Sequence, residues 1–121
     1  MKILFLDDSK ERCKTFLSSH PTAEIFHSAD TAIERLHRSW TKGEAWDLIC
    51  LDHDLDDSFD KPWHENTGMA VAEWLYGAAV GMEVKKVIVH SLNAPAAERM
   101  VHRLREGGYR VEHIPFFWQQ K

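Results

Sequence analysis

Short apolar runs alternate along this chain with stretches of helical periodicity, and that alternation constrains the fold more than any other feature. The runs are 3–6 (ILFL), 24–26 (EIF), 48–51 (LICL), 87–89 (VIV) and 111–114 (VEHI). The first, third and fourth are continuously apolar, as strands buried on both faces of a sheet must be. Between them Ala29, Ala32, Ile33, Leu36 and Trp40 recur at offsets of three and four, which predicts an amphipathic helix with Ser28 as its N-cap. Asp8 followed by Glu11 predicts a capping box for an earlier helix whose inner face carries Cys13, Phe16 and Leu17. Thr67 and Gly68 lead into a third helix through Met69, Ala72 and Leu75, ended by Gly77 and Gly81. Asn93 with Pro95 in the first turn opens a fourth, through Ala97, Met100, Val101 and Leu104, which Gly107 and Gly108 stop. Trp40, Trp46 and Trp74 fall where helix packing needs bulk. The order βαβαβαβαβ calls for a parallel sheet with helices on both faces, and 121 residues are expected to form one domain, 1–121.

After the fifth run and Pro115 only residues 116–121 remain, too few for a full closing helix. One sheet face is then left for Phe116, Phe117 and Trp118 to fold over, or for a second copy of the chain in a homodimer.

Charge is unevenly placed. Of 19 acids and 15 bases, seven acids against Lys61 alone lie between Asp47 and Glu65, so the net −4 belongs to one segment. A net acidic chain argues against a duplex nucleic-acid partner, which needs a basic face to displace counterions. No apolar run approaches the roughly 20 residues that cross a bilayer. Lys2 alone precedes the first apolar run, unlike a signal peptide, and the expectation is a soluble cytoplasmic protein without a membrane partner. Cys13 and Cys50 fit a helix face and a strand as small reduced hydrophobes, without zinc-pair spacing.

Ligands of an open parallel sheet bind beyond the carboxyl ends of its strands. Here those ends carry Asp7 and Asp8 after the first run, Asp52, His53 and Asp54 after the third, His90, Ser91 and Asn93 after the fourth, and His113 in the fifth. Carboxylates gathered from two adjacent strand ends repel and raise one another's pKa unless a cation neutralises them. Asp7, Asp8, Asp52 and Asp54 are therefore candidate ligands of Mg²⁺, with Mn²⁺ allowed by the histidines. Ser91 and Asn93, at a helix N-terminus, are candidate phosphate contacts. Asp52, His53 and His90 are candidate catalytic groups: a histidine titrates near working pH, and the aspartate can act as nucleophile where a metal-activated water does not. Trp63 and His64 in the acidic loop are candidates for a lid. His20, His27, His37 and His102 read as surface or capping residues, and strand alternation turns His113 away from the face of Ile114.

These residues resemble the response-regulator receiver domain: LFLDD at 4–8, DLICLD at 47–52, VIVHS at 87–91 and IPF at 114–116, in the right order over nearly the whole chain. The resemblance implies a flavodoxin-like three-layer α/β fold with strand order 2-1-3-4-5 and a closing helix that is short or absent here. It also implies Asp7 and Asp8 as magnesium ligands, Asp52 at the phosphoryl-acceptor position and Ser91 at the hydroxyl position. Ile114 stands where receivers carry lysine, and the span from Asp52 to Gly68 is longer than the receiver loop. The histidines of LDHDL and VHS are similar to those of the cyclic-phosphate processing receiver domains, which implies phosphoesterase chemistry. The expected function is a metal-dependent phosphoesterase acting on a cyclic phosphate of a nucleotide or RNA end, with a small phosphate ester or nucleotide as partner. The alternatives are an atypical receiver that binds metal and a partner protein without turnover, and a purely structural interaction domain.

Overall fold

The computed structural model describes residues 1–55, 66–77 and 82–115. In chain order these form β1 (Ile3–Leu6), α1 (Lys10–Ser19), β2 (Glu24–Phe26), α2 (Ala29–Thr41), β3 (Leu48–Leu51), α3 (Gly68–Gly77), β4 (Val87–Val89), α4 (Ala94–Glu106) and β5 (Val111–His113). The strands make one parallel sheet in the order β2-β1-β3-β4-β5, as the resemblance implied. β5 is one residue shorter than the apolar run that predicts it, although the Ile114 N–H still donates to the Val89 carbonyl at 3.0 Å. Among the described residues no helix follows β5. The aromatic tail at 116–121, the lid candidates Trp63 and His64, and most of the acidic loop lie outside the described residues.

Alternation along the strands sorts the core onto two faces. Leu4, Leu6, Ile49, Leu51, Val87 and Val89 face one way, into a cluster with Ala29, Ala32 and Leu36 of α2, Val71, Ala72 and Leu75 of α3, and Ala97, Met100 and Leu104 of α4. Ile3, Phe5 and Cys50 face the other way, against Cys13 and Phe16 of α1. The second cluster is much the smaller, and it abuts the strand ends where the polar residues gather.

Helix starts follow local side-chain chemistry. Ser28 and Asn93 cap α2 and α4 as expected, their side-chain oxygens accepting the N–H groups of Thr31 and Ala96. The cap of α1 is Ser9, not Asp8: Ser9 Oγ accepts the Arg12 N–H at 3.2 Å. The shift arises because Asp7 Oδ1 takes the Ser9 N–H at 2.8 Å, which turns the chain one residue later than a capping box would. α4 ends at Gly107, and Gly108 follows at φ 88°, a conformation glycine adopts without a Cβ clash.

Trp46 is fully buried, and its indole N–H donates to Ser39 Oγ at 2.7 Å. The Lys2 ammonium lies 4.7 Å and the Arg35 guanidinium carbon 5.1 Å from a ring centroid of the same indole. Removing the hydroxyl strands a buried donor, so Ser39→Ala is expected to cost about 1–2 kcal/mol in urea denaturation. Trp40 and Trp74 pack half-buried against the larger cluster.

Candidate functional site

Three strand ends in register build the site. Leu6 lies opposite Leu51, and Leu51 opposite Val89. The hydrogen-bond ladder continues one residue beyond each strand: the N–H of Asp7 donates to Phe26, that of Asp52 to Leu6 and that of His90 to Leu51, at 3.0, 3.1 and 2.9 Å. Continued alternation then puts Asp7, Asp52 and His90 on the sheet face that Phe5 and Cys50 share with α1. All three are buried, and one ligand atom from each lies within 4.8 Å of the others. Two carboxylates and an imidazole form a donor set that could hold a metal ion.

A residue that no sequence pattern singled out shares this pocket. Arg12, in the first turn of α1, forks onto Asp7, with Nε 2.8 Å from Oδ2 and Nη2 2.9 Å from Oδ1. The same Nη2 lies 3.5 Å from Asp52 Oδ2 and 3.8 Å from Asp8 Oδ1. Arg12 had one readable signal: a base in a helical first turn, where the macrodipole favours acids.

The electrostatics separate the two buried carboxyls. Burial opposes ionisation of Asp7, but hydrogen bonds from His90, Arg12 and the Ser9 N–H hold its pKa down to about 2. Burial, together with the charge of Asp7, pushes Asp52 up to about 7; the His53 N–H and Arg12 only partly oppose this. His90 donates from Nε2 to Asp7 Oδ2 at 3.2 Å; burial lowers its pKa, against the opposing pull of the Asp7 carboxylate. Its ring stacks on Phe5 at 4.8 Å between centroids and 3° between planes, and Phe5 stacks in turn on Phe16 at 4.1 Å. This ladder fixes the imidazole plane from α1 inward.

The remaining candidates surround this centre. His53 Nδ1 lies 2.7 Å from Asp54 Oδ1, and Asn93 Nδ2 donates to the same oxygen at 3.3 Å. Asp54 is exposed and held by these two partners, outside the Asp7, Asp52 and His90 cluster. Asp8 is half-exposed, with Arg12 as its neighbour. Ser91 is buried; its Oγ accepts the Asn93 N–H at 3.0 Å, which leaves its O–H as a donor for a ligand. The Asn93 carbonyl oxygen is taken by the α4 cap. Arg12, Asp52, Asp54, His90, Ser91 and the exposed Leu92 line a pocket of about 190 Å³. That is below the roughly 300 Å³ of a typical drug-sized site and suits a phosphate-sized group.

Other polar residues resolve into support. His113 meets the Ser91 carbonyl at 2.6 Å from the opposite face, and the Ile114–Pro115 bond is trans. His102 pairs with Glu106 at 3.2 Å on the surface. His27 is closer to the site than its strand-edge position suggests, its Nδ1 3.0 Å from the Asp7 carbonyl. Burial pushes the Cys13 thiol up to about 11 and that of Cys50 well above its usual range, so neither supplies a thiolate. Among the described residues no helix is long and apolar enough to cross a membrane.

The family model described as the cyclic-phosphate processing receiver domain matches residues 2–106 of the chain. No curated protein and no solved structure matches it significantly.

Proposed function

Since the chain belongs to the cyclic-phosphate processing receiver domain family, we propose that it is a metal-dependent phosphoesterase that opens a cyclic phosphate of a nucleotide or RNA end. The observation that carries this reading is the convergence of Asp7, Asp52 and His90 within 4.8 Å beside a pocket of phosphate size. These three residues would hold Mg²⁺ or Mn²⁺. When bound, such an ion neutralises charge that develops on the phosphoryl oxygens.

The chain's own groups supply the rest. His53 is the proton carrier. Its bond to Asp54 fixes Nδ1 as the N–H side and leaves Nε2 to take a proton from the attacking water. As the water oxygen bonds to phosphorus and the ring P–O bond breaks, His53 returns that proton to the departing oxygen, which becomes a hydroxyl. Ser91 donates its O–H to a phosphoryl oxygen. Asn93 acts at one remove, orienting Ser91 through its backbone N–H and Asp54 through its amide.

The test is turnover of 2′,3′-cyclic and 3′,5′-cyclic nucleotides with Mg²⁺ or Mn²⁺. Asp52→Asn and His53→Ala are each expected to lower the rate by about 100-fold or more; full activity in both variants overturns the site. A phosphoryl adduct that persists after acetyl phosphate, seen by intact mass, with no turnover of any cyclic ester, would establish the signalling module in its place.

A further inference from the structure

Among the described residues Arg12 is the one strong cation lining the pocket, and its geometry is that of a group between two partners. Its fork on Asp7 is the bidentate arrangement a guanidinium makes equally well with a phosphoryl group. Nη2 already leans from Asp7 toward Asp52, at 3.5 Å. The side chain is 34% exposed whereas that of Asp7 is 0% exposed, so Arg12 is the solvent-facing member of the pair. It lines the same pocket as Ser91 and His90. One guanidinium also faces three carboxylates, those of Asp7, Asp8 and Asp52, and cannot neutralise them all.

We propose that Arg12 is the phosphoryl-binding residue of this site, an internal counter-ion that exchanges Asp7 for a phosphoryl oxygen when Asp7 becomes a metal ligand. The proposal rests on the phosphoesterase reading above and assigns the group that recognises the ester. A guanidinium and a divalent ion on one carboxylate would repel each other, so an ion held by Asp7 would weaken the Arg12 fork on it. The side chain is rooted at the third residue of α1, beside the pocket, so a change in its own torsions suffices to present the fork to a ligand there.

Two titrations of the whole chain test the exchange. In the first, Mn²⁺ binding is followed by the loss of its free-ion paramagnetic signal. Arg12→Gln is expected to bind Mn²⁺ about tenfold more tightly than the wild type, because the competing cation is gone. In the second, inorganic phosphate is titrated calorimetrically into Mg²⁺-saturated protein, and the same variant is expected to bind it about tenfold more weakly. Arg12→Lys, which keeps the charge without the fork, should fall between the two in both titrations, and it carries the test if Arg12→Gln does not fold. Equal Mn²⁺ affinity in wild type and variants, or undiminished phosphate affinity, overturns the role of Arg12 and leaves the metal site standing. No Mn²⁺ binding by any of the proteins overturns the metal reading, and this proposal with it.

Discussion

Gly68→Ala is expected to lower the unfolding free energy by more than about 3 kcal/mol, beyond the usual range for overpacking, and to abolish divalent-cation binding. Gly68 opens α3 with its N–H on the His53 carbonyl at 2.9 Å, which draws the helix start against the end of β3. A Cβ there would overlap the carbonyl oxygen of Asp52 and sit 2.8 Å from Met100 Cε. The methionine tip can swing aside, but the Asp52 carbonyl belongs to the backbone that places the carboxylate, so relief of the clash must move the site. Gly77, at the far end of the same helix, has open space where a Cβ would stand, with nothing within 4 Å, and no positive φ. Gly77→Ala is therefore the control, expected to be neutral or to stabilise by up to about 1 kcal/mol. Urea denaturation and Mn²⁺ titration of both variants decide the matter, and wild-type stability in Gly68→Ala would refute the close approach of α3 to Asp52.

Asp52→Asn is expected to stabilise the metal-free protein at pH 8 by about 2–4 kcal/mol while removing cation binding. Asp52 is 6% exposed and, pushed by burial and by Asp7, titrates at about 7 against 3.8 for an ordinary aspartate. A carboxyl whose folded pKa exceeds its unfolded one holds its proton more tightly in the fold. Its contribution is therefore full below about pH 4 and is lost as pH rises through about 7. The asparagine variant should gain its full advantage above pH 7 and none below pH 4. Asp7 has the opposite sign: held at about 2, it stabilises above 3.8, and that stability is lost as pH falls toward 2. Denaturation at pH 4 and pH 8, with and without Mg²⁺, separates the effects. Saturating Mg²⁺ should stabilise the wild type at pH 8 and leave the variant unchanged, and a variant no more stable than wild type at pH 8 would show that Asp52 carries no such strain.

The two variants differ in how well the sequence foretold them. Asp52 was legible because an aspartate that ends a continuously apolar strand can lie only at the carboxyl edge of a parallel sheet. Asp7 and His90 were legible for the same reason, and Phe5, Cys50 and Ile88 two residues before them set the shared face. The demand of Gly68 on Asp52 was not legible: a glycine at the start of a helical pattern reads as a turn residue, and the close approach depends on how α3 seats against β3. The α1 cap differed by one residue because Asp7 competes for the Ser9 N–H, a local bond that a capping-box pattern does not weigh.

The sequence by itself determined the order of elements, the parallel sheet and the strand ends that carry the chemistry. These follow from hydrophobic period and chain connectivity, which are local properties. The tertiary structure decided which of the four candidate carboxylates converge, that His90 is a buried partner of Asp7 stacked on Phe5, that Asp54 serves His53, and that Arg12 occupies the centre. Each of these depends on distances between elements far apart in the chain. Burial and charge there set whether a carboxyl titrates near 2 or near 7, which no residue's identity or local spacing can specify.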